Sequence, residues 1–221
     1  MKKQLVSVFA LSIMTLSAVS CKNEAPKAED AVEITDASQD AVVYNADAEK
    51  SAINWTGAKV GGEHKGDIKL KSGEVAVKDG TIQNGTFVID FTTINVTDLE
   101  GDKKAYLEAH LKGTNQDDSV DHFFNVGQYP EGKFEIASVT SVDTVTTVTG
   151  NLTVKGITKS ISFPAAVTVN DSIVTIETTT FPINRTDFNI NYGSKSKFTD
   201  LAADKVINDE IIIQLNVTAK K

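Results

Sequence analysis

Few side chains of this sequence have the types and spacing that a chemical reaction requires. The chain contains no G-x-S-x-G nucleophile elbow, no H-E-x-x-H metal motif and no glycine-rich phosphate loop. Arg185 and Asp187 are two residues apart, so on a strand both would face one side and could form an ion pair or contact a bound molecule. His122 precedes two phenylalanines and is either an ordinary solvated histidine or a further polar contact. We predict binding without catalytic residues, metal ions or cofactors.

The single cysteine of the chain, Cys21, lies directly after an export-type signal. Lys2 and Lys3 give a positive start, and the apolar run from residue 5 to residue 16 is too short to cross a bilayer as a helix. The small residues 18–20 (Ala-Val-Ser) lead into the cysteine as in a bacterial lipobox, which implies acylation of the thiol. We predict a signal peptide over residues 1–20 and lipid attachment at Cys21. The alternative is a secretory signal with an incidental cysteine.

An acylated Cys21 would determine where the protein resides. Stable anchoring takes at least two acyl chains, which a modified cysteine of this kind carries. We therefore expect an exported protein that is lipid-anchored in the bacterial envelope, in the outer membrane, on its periplasmic or surface face. Residues 21–47 are rich in Ala, Glu, Asp and Lys, which predicts a flexible tether between the membrane and a folded domain over residues 48–221.

The overall charge limits the partners. A formal net charge of −8 and a pI near 4.9 argue against nucleic-acid binding, which needs a positive surface to displace the counterions of the phosphates. The composition leaves the oligomeric state open, and a dimer is possible.

From residue 53 onward, apolar residues alternate with polar ones, which is typical of strands with one buried face. The clearest runs are residues 161–169 and 211–217, where every second side chain is apolar, and Gly-containing turns separate the segments. The exception is residues 102–111, whose four-residue spacing predicts one short helix with Asp102 as N-cap and Gly113 as its stop.

About eight such strands at hairpin spacing predict an all-β, antiparallel fold. Periodicity does not separate a sandwich from a closed barrel, because both bury one face of each strand. A barrel of eight strands has no exposed edges, and it is wide enough to enclose one small ligand if side chains leave its interior partly empty.

Three segments resemble the YceI-like family. Residues 110–134 (HLKGTNQDDSVDHFFNVGQYPEGKF) are similar to its helix-to-strand signature, and residues 150–164 (GNLTVKGITKSISFP) are similar to its G-x-L-T-x-K-G-x-T-K segment. Residues 184–194 (NRTDFNINYGS) resemble its R-x-D-F-G-I stretch, with Asn189 where the family usually has glycine. The resemblance extends over residues 48 to 218 and implies an eight-stranded, lipocalin-like barrel that binds isoprenoid lipids such as quinones or polyprenyl compounds.

The resemblance and the alternation together predict the cavity residues. Those expected to line it are aromatic: Trp55, Phe87, Phe91, Phe123, Phe124, Phe134, Phe163 and Phe188. His122, Arg185 and Asp187 are expected at its polar end. We predict non-catalytic binding, storage or transport of an isoprenoid lipid by an envelope lipoprotein. Two alternatives remain: an interaction or stress-response lipoprotein whose barrel is filled, and a lipid hydrolase or isomerase that uses His122 with a nearby acid.

Overall fold

The computed structural model describes residues 28–115 and 123–221, which fold mainly into strands. In chain order these are β1 (Glu29–Asp30), β2 (Val42–Ala46), β3 (Ala52–Lys59), β4 (Gly62–Lys78), β5 (Thr81–Val96), β6 (Glu131–Val142), β7 (Val145–Val154), β8 (Ile157–Pro164), β9 (Ala166–Val169), β10 (Ile173–Glu177), β11 (Phe181–Asn184) and β12 (Ile207–Lys220). The helix α1 (Gly101–Lys112) follows β5, and 3₁₀ helices span Arg185–Phe188 and Ala203–Lys205. Within these ranges no helix has the length and apolar character to span a bilayer.

The strands form one antiparallel sheet that closes into a barrel. Each strand from β3 to β7 pairs with the next along the chain, and β12 pairs with β3. β9 continues β8 and pairs with β10, whose other neighbour is β12. β2 and β3 pair with successive parts of β4, and β10 and β11 pair with successive parts of β12. The barrel therefore has eight strand positions, and β1 pairs with the edge of β8 that β7 leaves free. The predicted antiparallel barrel with one helical insertion is confirmed.

The barrel has two ends with different coverings. We call the end that carries α1, the β3–β4 turn and the β7–β8 turn the helix end. The far end carries the β4–β5 turn and the β6–β7 turn. β11 and the first 3₁₀ helix lie in the half of the barrel nearer the helix end.

Residues 28–47 lie against the barrel, whereas the sequence predicted a flexible tether up to residue 47. β2 pairs with both β4 and β12, and Tyr44 is buried with its hydroxyl donating to the carbonyl oxygen of Asn170 over 2.8 Å. The side chain of Asn151 exchanges two hydrogen bonds with the backbone of Val32. The barrel therefore begins before the predicted boundary at residue 48. The polar composition did not indicate this contact, because hydrogen bonds hold much of the segment against the barrel.

The helix α1 matches the predicted segment to within one residue at each end. Its C-terminal stop is as expected, because Gly113 takes a left-handed conformation with φ of 69° and its N–H bonds the carbonyl oxygen of His110. The N-cap differs: Glu100 occupies it without a side-chain hydrogen bond, and Asp102 lies in the first turn. A carboxylate there still favours the helix through its dipole.

Candidate functional site

An apolar cavity runs inside the barrel. The cavity has a volume of about 160 Å³. All but one of the bordering side chains are aliphatic or phenylalanine: Ile53, Ile68, Leu70, Phe87, Ile89, Phe91, Phe124, Phe134, Ile136, Val148, Leu152, Val154, Ile161, Phe163, Ile176, Phe181, Ile183, Phe188, Ile190, Ile211, Ile213, Leu215 and Val217, with Arg185 as the exception. Such a lining suits a hydrocarbon and gives polar groups few partners.

Large rings on the inner face of the barrel lie close to glycines in neighbouring strands. A β-carbon at Gly73 would lie 2.4 Å from the ring of Phe87, and one at Gly132 would lie 2.6 Å from the ring of Phe91. These glycines leave room along the wall, so the rings cover bare backbone instead of extending across the lumen.

The same arrangement recurs at two further places. A β-carbon at Gly150 would lie 2.6 Å from Phe134, and one at Gly66 would lie 2.5 Å from the indole of Trp55. All four rings belong to residues that the sequence placed in the cavity. The glycines next to these rings were a further signal for the cavity in the sequence, which sequence reasoning from the alternation of apolar residues did not use.

Two groups of phenylalanines line the cavity walls. Phe163 stacks on Phe181 with ring centroids 4.6 Å apart and contacts Phe134 at 5.7 Å. Phe91 and Phe124 are 4.6 Å apart and tilted by 40°. These contacts restrain each ring, so the wall offers a preformed apolar surface that loses little side-chain freedom when a ligand binds.

Arg185 is the one charged side chain at the cavity, and it is only 3% exposed. Its Nε donates to the carbonyl oxygen of Asn208 (2.9 Å), Nη1 to that of Ile190 (2.7 Å) and Nη2 to that of Ile207 (3.1 Å). Desolvation lowers the pKa of Arg185, which the charge of Asp209, 3.4 Å from Nη2, partly offsets. The guanidinium therefore joins the first 3₁₀ helix to the start of β12 and places a positive charge near the helix end.

The predicted pairing of Arg185 with Asp187 is wrong. The two residues lie in a 3₁₀ helix instead of a strand, and three residues per turn direct positions i and i+2 to different sides. Arg185 faces Asp209, whereas Asp187 Oδ2 accepts a hydrogen bond from the backbone N–H of Ala28 over 3.1 Å. Asp187 thus holds the start of β1 and does not border the cavity.

The family follows from a match over most of the chain. A family model described as the YceI-like domain matches residues 44–219. The chain belongs to the YceI-like family. No curated protein matches the chain.

Two solved structures share the YceI-like fold of this chain. BcnA from Burkholderia cenocepacia is 20% identical with a TM-score of 0.60, and the match covers 79% of this chain and 99% of that one. A polyisoprenoid binding domain from Saccharophagus degradans, implicated in plant cell wall breakdown, is 13% identical with a TM-score of 0.55, and the match covers 80% and 97%. At these identities the likeness establishes the fold.

The YceI-like barrel brings six of the eight predicted aromatic residues to its cavity, namely Phe87, Phe91, Phe124, Phe134, Phe163 and Phe188. Their contact with a ligand stays a prediction. Trp55 lies on the inner side of β3 but does not border the cavity, and among the described residues its indole N–H has no hydrogen-bond partner. Cys21 and His122 lie outside the described residues.

Phe123, the remaining aromatic residue, belongs to a separate aromatic cluster at the helix end. The ring centroid of His110 lies 5.0 Å from that of Phe123 and 5.0 Å from that of Tyr192. The His110 ring also stacks on Tyr106, with centroids 6.2 Å apart. Tyr106 is 64% exposed. Sequence reasoning missed this cluster, because its members come from α1, the segment after it and the segment before β12, which only the fold brings together.

Sequence reasoning also underestimated the aliphatic share of the cavity. It named only aromatic residues as lining, although the alternation on β12 already indicated the inward series Ile211, Ile213, Leu215 and Val217. The YceI-like barrel brings this series and the phenylalanines to the same cavity.

Proposed function

We propose that this protein binds an isoprenoid lipid, quinone-like or polyprenyl, in the barrel cavity, and stores or carries it without catalysing a reaction. The observation that carries the proposal is the cavity itself, whose lining is apolar except for Arg185. The solved barrel from Saccharophagus degradans, a polyisoprenoid binding domain of the same fold, supports the same ligand class.

Burial of a hydrocarbon tail against such a lining provides enough free energy for lipid binding. Burying one methylene group is worth about 0.8 kcal/mol, so about ten such groups approach micromolar affinity before the entropic cost of binding is subtracted. A prenyl chain of a few units meets that requirement without a polar contact. Binding of this kind needs no catalytic group, which agrees with the absence of enzyme motifs in the sequence.

The polar end of the ligand would lie near Arg185. A guanidinium has five N–H groups, and the four contacts of Arg185 leave one Nη1–H to meet an acceptor such as a quinone carbonyl. The positive charge near the helix end favours an electron-rich head group there. The tail would then extend along the phenylalanines toward the far end.

We further propose that acylated Cys21 holds the barrel at a membrane of the bacterial envelope. The observation that supports this is the lipobox-like sequence before the cysteine. An anchored barrel would stay close to the bilayer in which isoprenoid lipids dissolve.

Mass spectrometry of lipid extracted from the purified protein tests the proposal, followed by uptake of added menaquinone by delipidated protein. We expect an isoprenoid in near-stoichiometric amount and saturable uptake. Leu215→Glu, which places a carboxylate in the cavity wall, should abolish uptake, and Leu215→Trp, which fills the lumen, should weaken it.

The matched control is Gln214→Glu, which adds the same charge to the exposed face of the same strand. It should bind as the original chain does. Protein that is repeatedly empty and takes up no isoprenoid would refute the proposal. Equal loss of uptake in Leu215→Glu and Gln214→Glu would count against the cavity as the site.

A further inference from the structure

The barrel wall is not hydrogen-bonded all the way round. In the half nearer the helix end, β8 pairs with β7 and β1, and β11 pairs only with β12. Among the described residues, no backbone hydrogen bond joins β8 to β11. We call the space between Ile157–Pro164 and Phe181–Asn184 the seam. In the far half the corresponding strands β9 and β10 form a normal ladder, so the seam ends there.

A cleft on the outside of the barrel lies over the seam, bordered by β1, β8 and β11. Ile161, Phe181 and Ile183 border this outer cleft and also border the inner cavity. A single layer of side chains therefore separates the cleft from the cavity. Ladders join the other neighbouring walls, from β3 round to β8 and from β10 and β11 to β12. Opening a ladder breaks several backbone hydrogen bonds.

Buried side chains lie at both ends of the barrel in the described part of the chain. At the far end, Val75, Val77 and Val174 are at most 5% exposed, and none of them borders the cavity. At the helix end, Ile94 and Val96 are at most 2% exposed and also lie outside the cavity. Passage beside these residues would require packed side chains to move.

The proposed anchor at Cys21 would bring the seam toward the membrane. The described part starts at Ala28, which borders the outer cleft and bonds Asp187 beside β11. Cys21 precedes Ala28 by seven residues, which span at most about 25 Å when fully extended. An acyl anchor at Cys21 therefore keeps the seam within that distance of the bilayer.

From these observations we infer that the isoprenoid tail passes between bilayer and cavity sideways, through the seam between β8 and β11, and not through an end of the barrel. The inference rests on the proposed function and adds the route. The side chains of Ile161 and Ile183 act as the movable part of the wall, because no ladder has to break when they turn aside. β1 covers part of the cleft and is attached to β8 through only two paired residues, Glu29 and Asp30.

A covalent link across the seam tests the route. Ser162→Cys with Pro182→Cys places thiols on β8 and β11 at the outer cleft, away from the cavity lining. A bismaleimide with a cleavable disulfide would join them in the full chain, with Cys21→Ser in every variant to remove the other thiol. The readout is the rate at which loaded menaquinone transfers to vesicles of phosphatidylethanolamine and phosphatidylglycerol, together with its equilibrium affinity.

The matched control links the same position on β8 to β7. Thr149 and Ser162 are paired residues whose hydroxyls lie 2.8 Å apart, so Thr149→Cys with Ser162→Cys joins strands that a ladder already holds together. We expect the seam link to slow transfer at least about tenfold with unchanged affinity, and its cleavage to restore the rate. The control link should leave the rate unchanged.

A second variant tests the route without a cross-link, in case the linked protein does not fold. Ile183→Ala removes one of the three shared side chains and should speed transfer severalfold. Val167→Ala, on β9 where a ladder to β10 closes the wall and outside the cavity lining, should not. A transfer rate that neither the seam link nor Ile183→Ala changes would overturn the route while leaving isoprenoid binding intact. Failure of the unlinked chain to bind menaquinone would instead overturn the proposed function and the route with it.

Discussion

The ring of Phe91 lies against Gly132 on the neighbouring strand, so that a β-carbon there would come 2.6 Å from Cζ of the ring. Real β-carbons do not approach a ring so closely, and the backbone oxygen of Thr153, 3.1 Å away, prevents an easy shift of the strand. The glycine therefore determines where the ring lies and how wide the lumen is.

Gly132→Ala should push Phe91 into the cavity. We expect a loss of about 1–3 kcal/mol in the free energy of unfolding, as for other overpacked interiors, and lower lipid occupancy. Chemical denaturation and mass spectrometry of bound lipid measure the two effects. Gly127→Ala is the control, because a β-carbon at Gly127 meets no atom within 4 Å. Full occupancy in Gly132→Ala would show that the glycine does not control the lumen.

Arg185 should matter for stability as well as for the polar end of the cavity. Arg185→Gln removes the charge opposite Asp209 and leaves carbonyl oxygens of Ile190 and Asn208 without their donor. We expect a cost of roughly 3 kcal/mol, the lower range for breaking a buried ion pair. Lys195→Gln removes a positive charge from an exposed position nearby and should cost less than about 0.5 kcal/mol. Equal midpoints of denaturation for the two variants would contradict this assignment.

Acid stability should depend on Asp98. Desolvation acts to raise the pKa of Asp98, but hydrogen bonds from the Lys65 backbone N–H and from His64, each 2.9 Å long, outweigh it and lower the pKa. Because the folded pKa lies below the unfolded value of about 3.9, this contribution is complete above that value and disappears as the pH falls through the folded pKa.

Asp98→Asn should therefore destabilise the barrel at neutral pH, and the difference from the original chain should shrink below about pH 4. Urea denaturation at several pH values measures it. Asp171→Asn, in the exposed turn between β9 and β10, is the control and should show no such trend. A difference that stays constant from pH 7 to pH 3 would refute the role of Asp98.

The anchor prediction is tested separately from the barrel. Growth of a lipoprotein-processing bacterium with labelled palmitate should label the original chain and leave Cys21→Ser unlabelled and free of the membrane fraction. The barrel of Cys21→Ser should still bind menaquinone, because the cavity contains no part of the anchor. Equal labelling of both chains, or none in either, would exclude acylation at Cys21.

The alternation of the sequence determined the inner face of the barrel. On β12 the period of two places Ile211, Ile213, Leu215 and Val217 on one side whatever the neighbours are, because successive side chains of a strand point to opposite faces. The three family motifs determined the architecture, since they identify one known arrangement among the antiparallel folds that alternation permits. Asn189, where the family usually has glycine, shows that a motif can fix the backbone conformation of a single residue. Its φ of 58° is the left-handed conformation that glycine takes easily and asparagine tolerates.

Only the tertiary structure decided which groups meet across long stretches of chain. Arg185 pairs with Asp209, and Asp187 holds Ala28, because the first 3₁₀ helix interrupts the strand that the sequence suggested. The seam likewise follows from the strand order, which leaves β8 and β11 side by side without a ladder. Periodicity reports the environment of each residue along its own strand. Pairing between distant strands depends on closure of the whole barrel, which no local pattern encodes.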